Sequence, residues 1–209
     1  MMKNDNCDIV PVDINTTKQL TSVLWIVFYL NLGMFIIEFF FGLQARSSAL
    51  MADSLDMFAD AFVYGISLFV LNKGHFQQAK ASMLKGGLMV ALGLFVLAEN
   101  IYKIIYPVLP VAEIISTLGL LALIANVICV VLLLKYRDKS LNVKSAWICS
   151  RNDAFGNIAV IIAGLLVAKF SSQWPDIIIG FGLAFVVIKS SFQIIASSKD
   201  ELAHHTNDK

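Results

Sequence analysis

The sequence is poor in charged residues and lacks the patterns typical of disulfide-bonded, nucleic-acid-binding or ATP-driven proteins. Only 15% of its 209 residues are charged, whereas 58% are apolar. Its three cysteines are not placed like a disulfide framework, and no basic run with interleaved aromatic residues indicates nucleic-acid binding. It also has no G-x-x-x-x-G-K-[ST] phosphate loop, so direct use of ATP is unsupported. Ordinary soluble domains are about 45–50% apolar, so this composition indicates an integral membrane protein.

Long apolar stretches recur six times, each long enough to cross a hydrocarbon core of roughly 30 Å as an α-helix. We therefore predict an all-α membrane protein with six transmembrane helices in one domain, residues 20–195. An N-terminal tail, residues 1–19, and a short C-terminal tail, residues 196–209, flank it, with no removable signal peptide. The predicted spans are Leu20–Leu43, Ala49–Leu71, Met83–Tyr106, Ala112–Leu134, Ser145–Phe170 and Asp176–Ile195.

Basic residues predict how the helices are oriented. They are concentrated after the second span and between the fourth and the fifth, and few lie near the opposite ends. By the positive-inside rule, the basic loops and both termini face the cytoplasm. The residues assigned to that side are Lys73, Lys80, Lys85, Lys135, Arg137, Lys139 and Lys144, and those near the opposite ends are Arg46, Lys103 and Lys169.

A short pattern occurs twice inside the apolar stretches, in the second and in the fifth span. Asp56 and Asp60 are four residues apart in the first copy, as are Cys149 and Asp153 in the second. At 3.6 residues per turn this spacing places each pair on one helix face, so two such helices could offer four ligands to one cation. An aspartate at the centre of a spanning helix costs roughly 2.5–3.5 kcal/mol, so these acids need a partner, a water-filled cavity or a function.

Other polar residues in the spans belong to the same faces or lie on other helices. Asp53 extends the acidic face of the second span, and Asn157 extends the matching face of the fifth. We expect Glu38 and Glu99, in the first and third spans, to pair with Arg151 or to line an entrance rather than to bind the ion.

Structural roles remain alternatives for these residues. Paired aspartates can be hydrogen-bonded to neighbouring helices, and Cys149 can be a small buried filler, as we expect for Cys129. A second functional hypothesis is a proton-coupled exporter of small organic cations, in which the acids act as counter-charges. An intramembrane hydrolase is disfavoured, because no histidine lies within a predicted span to act as a base for Cys149.

At these positions the chain resembles the cation diffusion facilitator family, over roughly residues 20–195. Members carry His or Asp, three residues and then Asp in the second and fifth spans, and they exchange a divalent metal, most often zinc, for protons. The resemblance implies metal ligation by four residues, with Cys149 departing from the family's usual His or Asp. Members usually also carry a cytosolic C-terminal domain, and we expect this chain to depart from the family in lacking it. The matching positions are Asn31, Glu38, Ser48–Asp53, Asp56, Asp60, Asn126, Cys149, Asp153 and Asp176.

We therefore predict a secondary transporter, not an enzyme, that exports a divalent transition metal in exchange for protons and needs no organic cofactor. Three carboxylates and a thiolate suit tetrahedral zinc, and the thiolate favours softer ions such as cadmium. Manganese and ferrous iron stay open through the aspartates, whereas magnesium prefers octahedral oxygen ligands. The expected partners are the metal, protons and the lipid bilayer, with a homodimer allowed through the transmembrane helices. We expect the membrane to be a prokaryotic plasma membrane.

Overall fold

A computed structural model of the protein describes residues 14–69, 75–136 and 141–207, and these residues form six α-helices and no β-strand. The all-α fold class and the number of helices predicted from the sequence are confirmed. Among the lysines assigned above to the cytoplasmic side, Lys73 and Lys139 lie outside the described residues. In chain order the helices are α1, Ile14–Ala45; α2, Ser48–Phe69; α3, His75–Ile105; α4, Ala112–Leu134; α5, Leu141–Phe170; and α6, Trp174–Asn207.

Five helices, α1 and α3 to α6, are long and apolar enough to cross a membrane. The remaining helix, α2, has 22 residues, among them Asp53, Asp56 and Asp60, which lower its apolar content. It packs against each of the other five helices. The acids of α2 are therefore placed inside the bundle, where protein groups rather than lipid surround them.

Several helices are longer than the apolar stretches that predicted them. The third helix begins at His75 rather than Met83, and α6 continues beyond Ile195 to Asn207. The added segments contain Ala, Gln, Lys and Glu, which favour helix, but the segments as a whole are too polar for a hydrocarbon core. Apolar windows therefore mark the membrane-crossing part of a helix and not its ends.

Buried apolar clusters line α2 on several sides. Near its start, Leu50 packs with Ile115 and Val160 of α4 and α5. Near its other end, Tyr64 packs with Val27 of α1 and Cys129 of α4. Cys129 is 1% exposed, which confirms its predicted role as a core filler. Lipid tails are as apolar as these side chains, so packing contacts rather than water exclusion hold such helices together.

The helices approach one another most closely at the end of the bundle where α2 begins. A Cβ atom on Gly180 of α6 would lie 2.7 Å from the carbonyl carbon of Ser48, and one on Gly164 of α5 would lie 2.9 Å from the backbone nitrogen of Ser116. These distances leave room only for glycine. The chain enters α2 through Arg46, whose φ of 51° lies in the left-handed region.

Candidate functional site

The aspartates at the second position of the two motif copies, Asp60 and Asp153, meet between α2 and α5. The carboxyl groups of Asp60 and Asp153 lie within hydrogen-bond reach of one another. The Tyr64 hydroxyl is 3.4 Å from Oδ2 of Asp60 and 3.1 Å from the hydroxyl of Ser150, which lies just before the acid of α5. The site therefore joins two carboxyl groups and two hydroxyl groups from two helices, and Asp60 is only 8% exposed.

Asp56 lies one helical turn before Asp60, whose charge acts on it, and the charge of Asp56 acts in turn on Asp153. The side chain of Cys149 lies outside the part of the chain that the structure describes. Among the described side chains, no three aspartates, glutamates, cysteines or histidines are close enough together to hold a metal ion. The structure thus assembles Asp60 with Asp153 and places Asp56 beside them without completing a three-ligand group.

A lysine that the sequence pattern did not identify lies beside these acids. Lys85, in the third turn of α3, is 6% exposed, and its charge acts on both Asp56 and Asp60. The positive-inside rule assigned Lys85 to the cytoplasmic side of the membrane, together with the other lysines that follow the second span. Its spacing from Met89, four residues later, puts both side chains on one face of α3, but only the packing of α3 shows that this face is buried.

Two further acids face each other between α1 and α2. Glu38 and Asp53 are 0% and 2% exposed, and their carboxyl groups are neighbours. Within the described residues, neither side-chain oxygen of Glu38 has a hydrogen-bond partner, and nor does Oδ2 of Asp53. Glu38 is fully buried in this state, so it does not line an entrance here. Asp53 interacts with Asp56, so acidic groups form a continuous series from α1 to the candidate site.

The predicted pairing of Glu38 or Glu99 with Arg151 is wrong for the described residues. Arg151 is exposed on α5, and its guanidinium carbon lies 5.3 Å from the centre of the Trp147 ring. Glu99 instead acts on Lys103 one turn later in α3. An exposed guanidinium group can keep its hydration, so the buried acids gain no counter-charge from it.

Polar groups close the bundle at the end where α2 begins. The Lys103 ammonium group donates to the hydroxyl of Ser48 at 2.6 Å and lies 4.0 Å from Oδ2 of Asp176. Gln173 donates to the backbone carbonyl of Lys103 at 3.0 Å and accepts from the backbone N–H of Val108 at 2.7 Å. These bonds tie the ends of α2, α3 and α6 together on the side of the candidate site that holds Asp53.

An apolar groove of about 480 Å³ lies on α6, away from the acids. Phe185, Ile188, Phe192 and Ala196 line it together with Gln193 and a single ionisable residue, Lys189. Such a surface suits lipid acyl chains better than an ion, so the acidic cluster remains the candidate functional site.

Comparison with known proteins gives consistent matches. The sequence model of the family described as the cation efflux transmembrane domain matches residues 24–203. Curated relatives named "Cadmium, cobalt and zinc/H(+)-K(+) antiporter", from Bacillus subtilis strain 168 and from Bacillus velezensis, are each 23% identical over 191 residues. Each match covers 85% of this chain and 61% of the relative, so the chain spans about three-fifths of the length of these relatives.

Proposed function

Because this chain belongs to the cation diffusion facilitator (cation efflux) family, we propose that it is a secondary transporter that exports a divalent transition metal from the cytoplasm. The observation that carries this proposal is the meeting of Asp60 and Asp153 inside an apolar bundle. Two carboxyl groups held this close repel each other when both are ionised, and a divalent cation between them removes the repulsion. Water or lipid cannot supply that charge.

The proposed ligands are Asp56, Asp60, Cys149 and Asp153. Asp60 and Asp153 are already adjacent, so binding would require Asp56 to close on them, and the Cys149 thiolate is the proposed fourth ligand. Three carboxylates and a thiolate give the four donors that zinc prefers, and the sulfur extends the range to cadmium. The names of the Bacillus relatives, which include cadmium, cobalt and zinc, support this class of substrate.

Proton exchange is the proposed energy source. Metal and protons compete for the same carboxylate and thiolate lone pairs, so proton uptake at these ligands releases the metal. The same relatives are named for antiport of metals against protons and potassium, which supports an ion gradient as the driving force. We further propose that the bundle crosses a prokaryotic plasma membrane with both termini in the cytoplasm.

The state described by the structure is sealed on one side of the site. Glycine contacts and the bonds of Lys103, Gln173 and Asp176 close the end where α2 begins. Asp56 and Asp153, by contrast, keep partial exposure. We propose that metal enters from the opposite end, which the basic residues assign to the cytoplasm, and leaves after the sealed end opens.

The test is metal flux in proteoliposomes with zinc, cadmium, cobalt and manganese, with and without an imposed pH gradient. Asp60→Asn and Asp153→Asn should each abolish flux, because the amide keeps the shape of the side chain but loses its charge. Glu113→Gln, an exposed acid in the first turn of α4, is the matched control and should transport normally. Full flux in folded Asp60→Asn protein would remove that residue from the site. Flux of an organic cation without any metal flux would favour the alternative substrate.

A further inference from the structure

Lys85 lies on the face of α3 that packs against α2. Met89, one turn later on that face, belongs to the buried cluster that contains Met51 and Leu55 of α2. Gly86, next along the chain, is close to α6, where a Cβ atom would lie 3.2 Å from the Ser191 carbonyl oxygen. The stem of Lys85 therefore starts between two helices, and 6% exposure leaves its ammonium group little access to solvent.

Charge complementarity accounts for the burial of this lysine. An ammonium group inside a protein is costly unless acids compensate it, and the charge of Lys85 acts on Asp56 and Asp60. Asp153 adds a third acid next to Asp60. The cluster thus combines three acidic side chains with one basic side chain that the protein itself supplies.

We propose that Lys85 is a tethered monovalent cation that occupies the acidic cluster when no cargo is bound, and that it makes the site selective for divalent over monovalent ions. This inference rests on the proposed function, since it assumes that Asp56, Asp60 and Asp153 receive the transported metal. No part of it requires Lys85 to lose its proton.

The selectivity follows from charge and tethering. A tethered group is always present at the site and is not diluted by the surrounding solution, so it competes at a high effective concentration. Potassium or sodium that displaced the ammonium group would replace one unit charge by another and would lose hydration as well. A divalent ion interacts with each carboxylate twice as strongly at equal distance. Lys85 thus weakens the binding of every cation. A monovalent ion gains no electrostatic energy by replacing the ammonium group, whereas a divalent ion still does.

The experiment measures zinc binding by calorimetry on the purified full chain in nanodiscs. Each protein is titrated in about 0.1 M potassium chloride and in N-methylglucamine chloride of equal ionic strength, so that screening is matched. The proteins compared are the wild type, Lys85→Met, Lys85→Arg and Asp60→Asn. Lys80→Met is the matched control, because Lys80 lies five residues earlier on the same helix with an exposed side chain.

We expect Lys85→Met to bind zinc about tenfold more tightly than the wild type in N-methylglucamine, because a like charge has left the site. In potassium chloride, Lys85→Met should bind zinc less tightly than in N-methylglucamine chloride, so that part of the gain is lost. The wild type, Lys85→Arg and Lys80→Met should bind zinc equally in both salts. A merely structural role for Lys85 would weaken zinc binding on substitution and would create no sensitivity to potassium.

Unchanged or weaker zinc binding by folded Lys85→Met would overturn the proposal, as would equal affinities of that variant in the two salts. Lys85→Gln is measured in parallel in case the methionine variant does not fold. The proposal is also overturned if neither Lys85→Met nor Lys85→Gln folds in the presence of zinc, because bound zinc should replace the lost charge of the ammonium group. If the wild type binds no metal, the proposed function itself fails. If it binds zinc and Asp60→Asn does not, while Lys85→Met equals the wild type, only the role of Lys85 fails.

Discussion

The carboxylate of Asp176, in the first turn of α6, caps the first turn of α2 by accepting the backbone N–H of Ser48 at 2.7 Å. Its other oxygen accepts from the hydroxyl of Ser47 at 2.5 Å and from the backbone N–H of Ala49 at 3.2 Å. The first N–H groups of a helix have no partner within it and attract negative charge. One helix therefore supplies the cap of another, which fixes where α2 starts and hence the positions of Asp56 and Asp60.

Removing this cap should destabilise the protein. Asp176→Ala leaves the buried N–H groups of Ser48 and Ala49 without their acceptor and the buried Lys103 ammonium group without its counter-charge, which costs about 3–5 kcal/mol. For a chain of this size we expect the unfolding temperature in detergent to fall by roughly 10 °C. The unfolding temperature of Asp176→Asn should fall less, because the amide oxygen can still accept one hydrogen bond. Glu113→Gln is the control. If Asp176→Ala unfolds at the same temperature as the wild type, the cap is dispensable.

A second prediction concerns Glu38, which faces Asp53 inside the bundle. Two neighbouring carboxyl groups are costly to bury together when both are charged. Glu38→Gln keeps the shape of the side chain and gives Asp53 an amide donor for an oxygen that has no partner within the described residues. We therefore expect the glutamine variant to unfold at the same temperature as the wild type or higher. A fall of several degrees in thermal unfolding would show that the acid itself stabilises the bundle.

Tyr64 should tune metal binding without being a ligand. Its hydroxyl links Asp60 on its own helix to Ser150 on α5. Residues that orient metal ligands typically change affinity about 10–100-fold when replaced, so Tyr64→Phe should weaken zinc binding by about tenfold. Tyr136→Phe is the control, because Tyr136 is buried in the same apolar cluster but bonds Gln19 outside the site. Equal zinc affinities of the two variants would contradict an orienting role for Tyr64.

The sequence was informative wherever local periodicity decides the structure, and uninformative where contacts between helices decide it. Apolar stretches predicted all six helices, and the four-residue spacing indicated which faces of α2 and α5 carry Asp60 and Asp153. Lys85 was missed because a lysine near the end of an apolar stretch is usually hydrated, and only the packing of α3 on α2 buries it. The cap by Asp176 was missed because an acid in the first turn normally favours its own helix.

The predicted topology can be tested at two exposed positions. Lys80 lies in the first turns of α3, and Arg46 lies in the turn between α1 and α2. The positive-inside rule places Lys80 in the cytoplasm and Arg46 outside. Single cysteines at these positions, in a chain whose native cysteines are replaced, should react differently with a membrane-impermeant maleimide on intact cells. Labelling should occur at position 46 alone, and the reverse pattern would invert the topology.

The last prediction concerns Cys149, where the chain departs from the His or Asp of the family pattern. If its thiolate binds the metal, Cys149→His should keep zinc transport, because imidazole is a good zinc ligand, and should lower the preference for cadmium over zinc. Cys149→Ser should lose affinity for both ions, because a neutral hydroxyl group is a weak ligand. A cysteine that only fills space could become alanine with a modest packing cost and no change in selectivity. Competition of cadmium against zinc across the three variants decides between these roles. A cadmium-to-zinc selectivity ratio that stays unchanged from the wild type in all three variants would rule out coordination by sulfur.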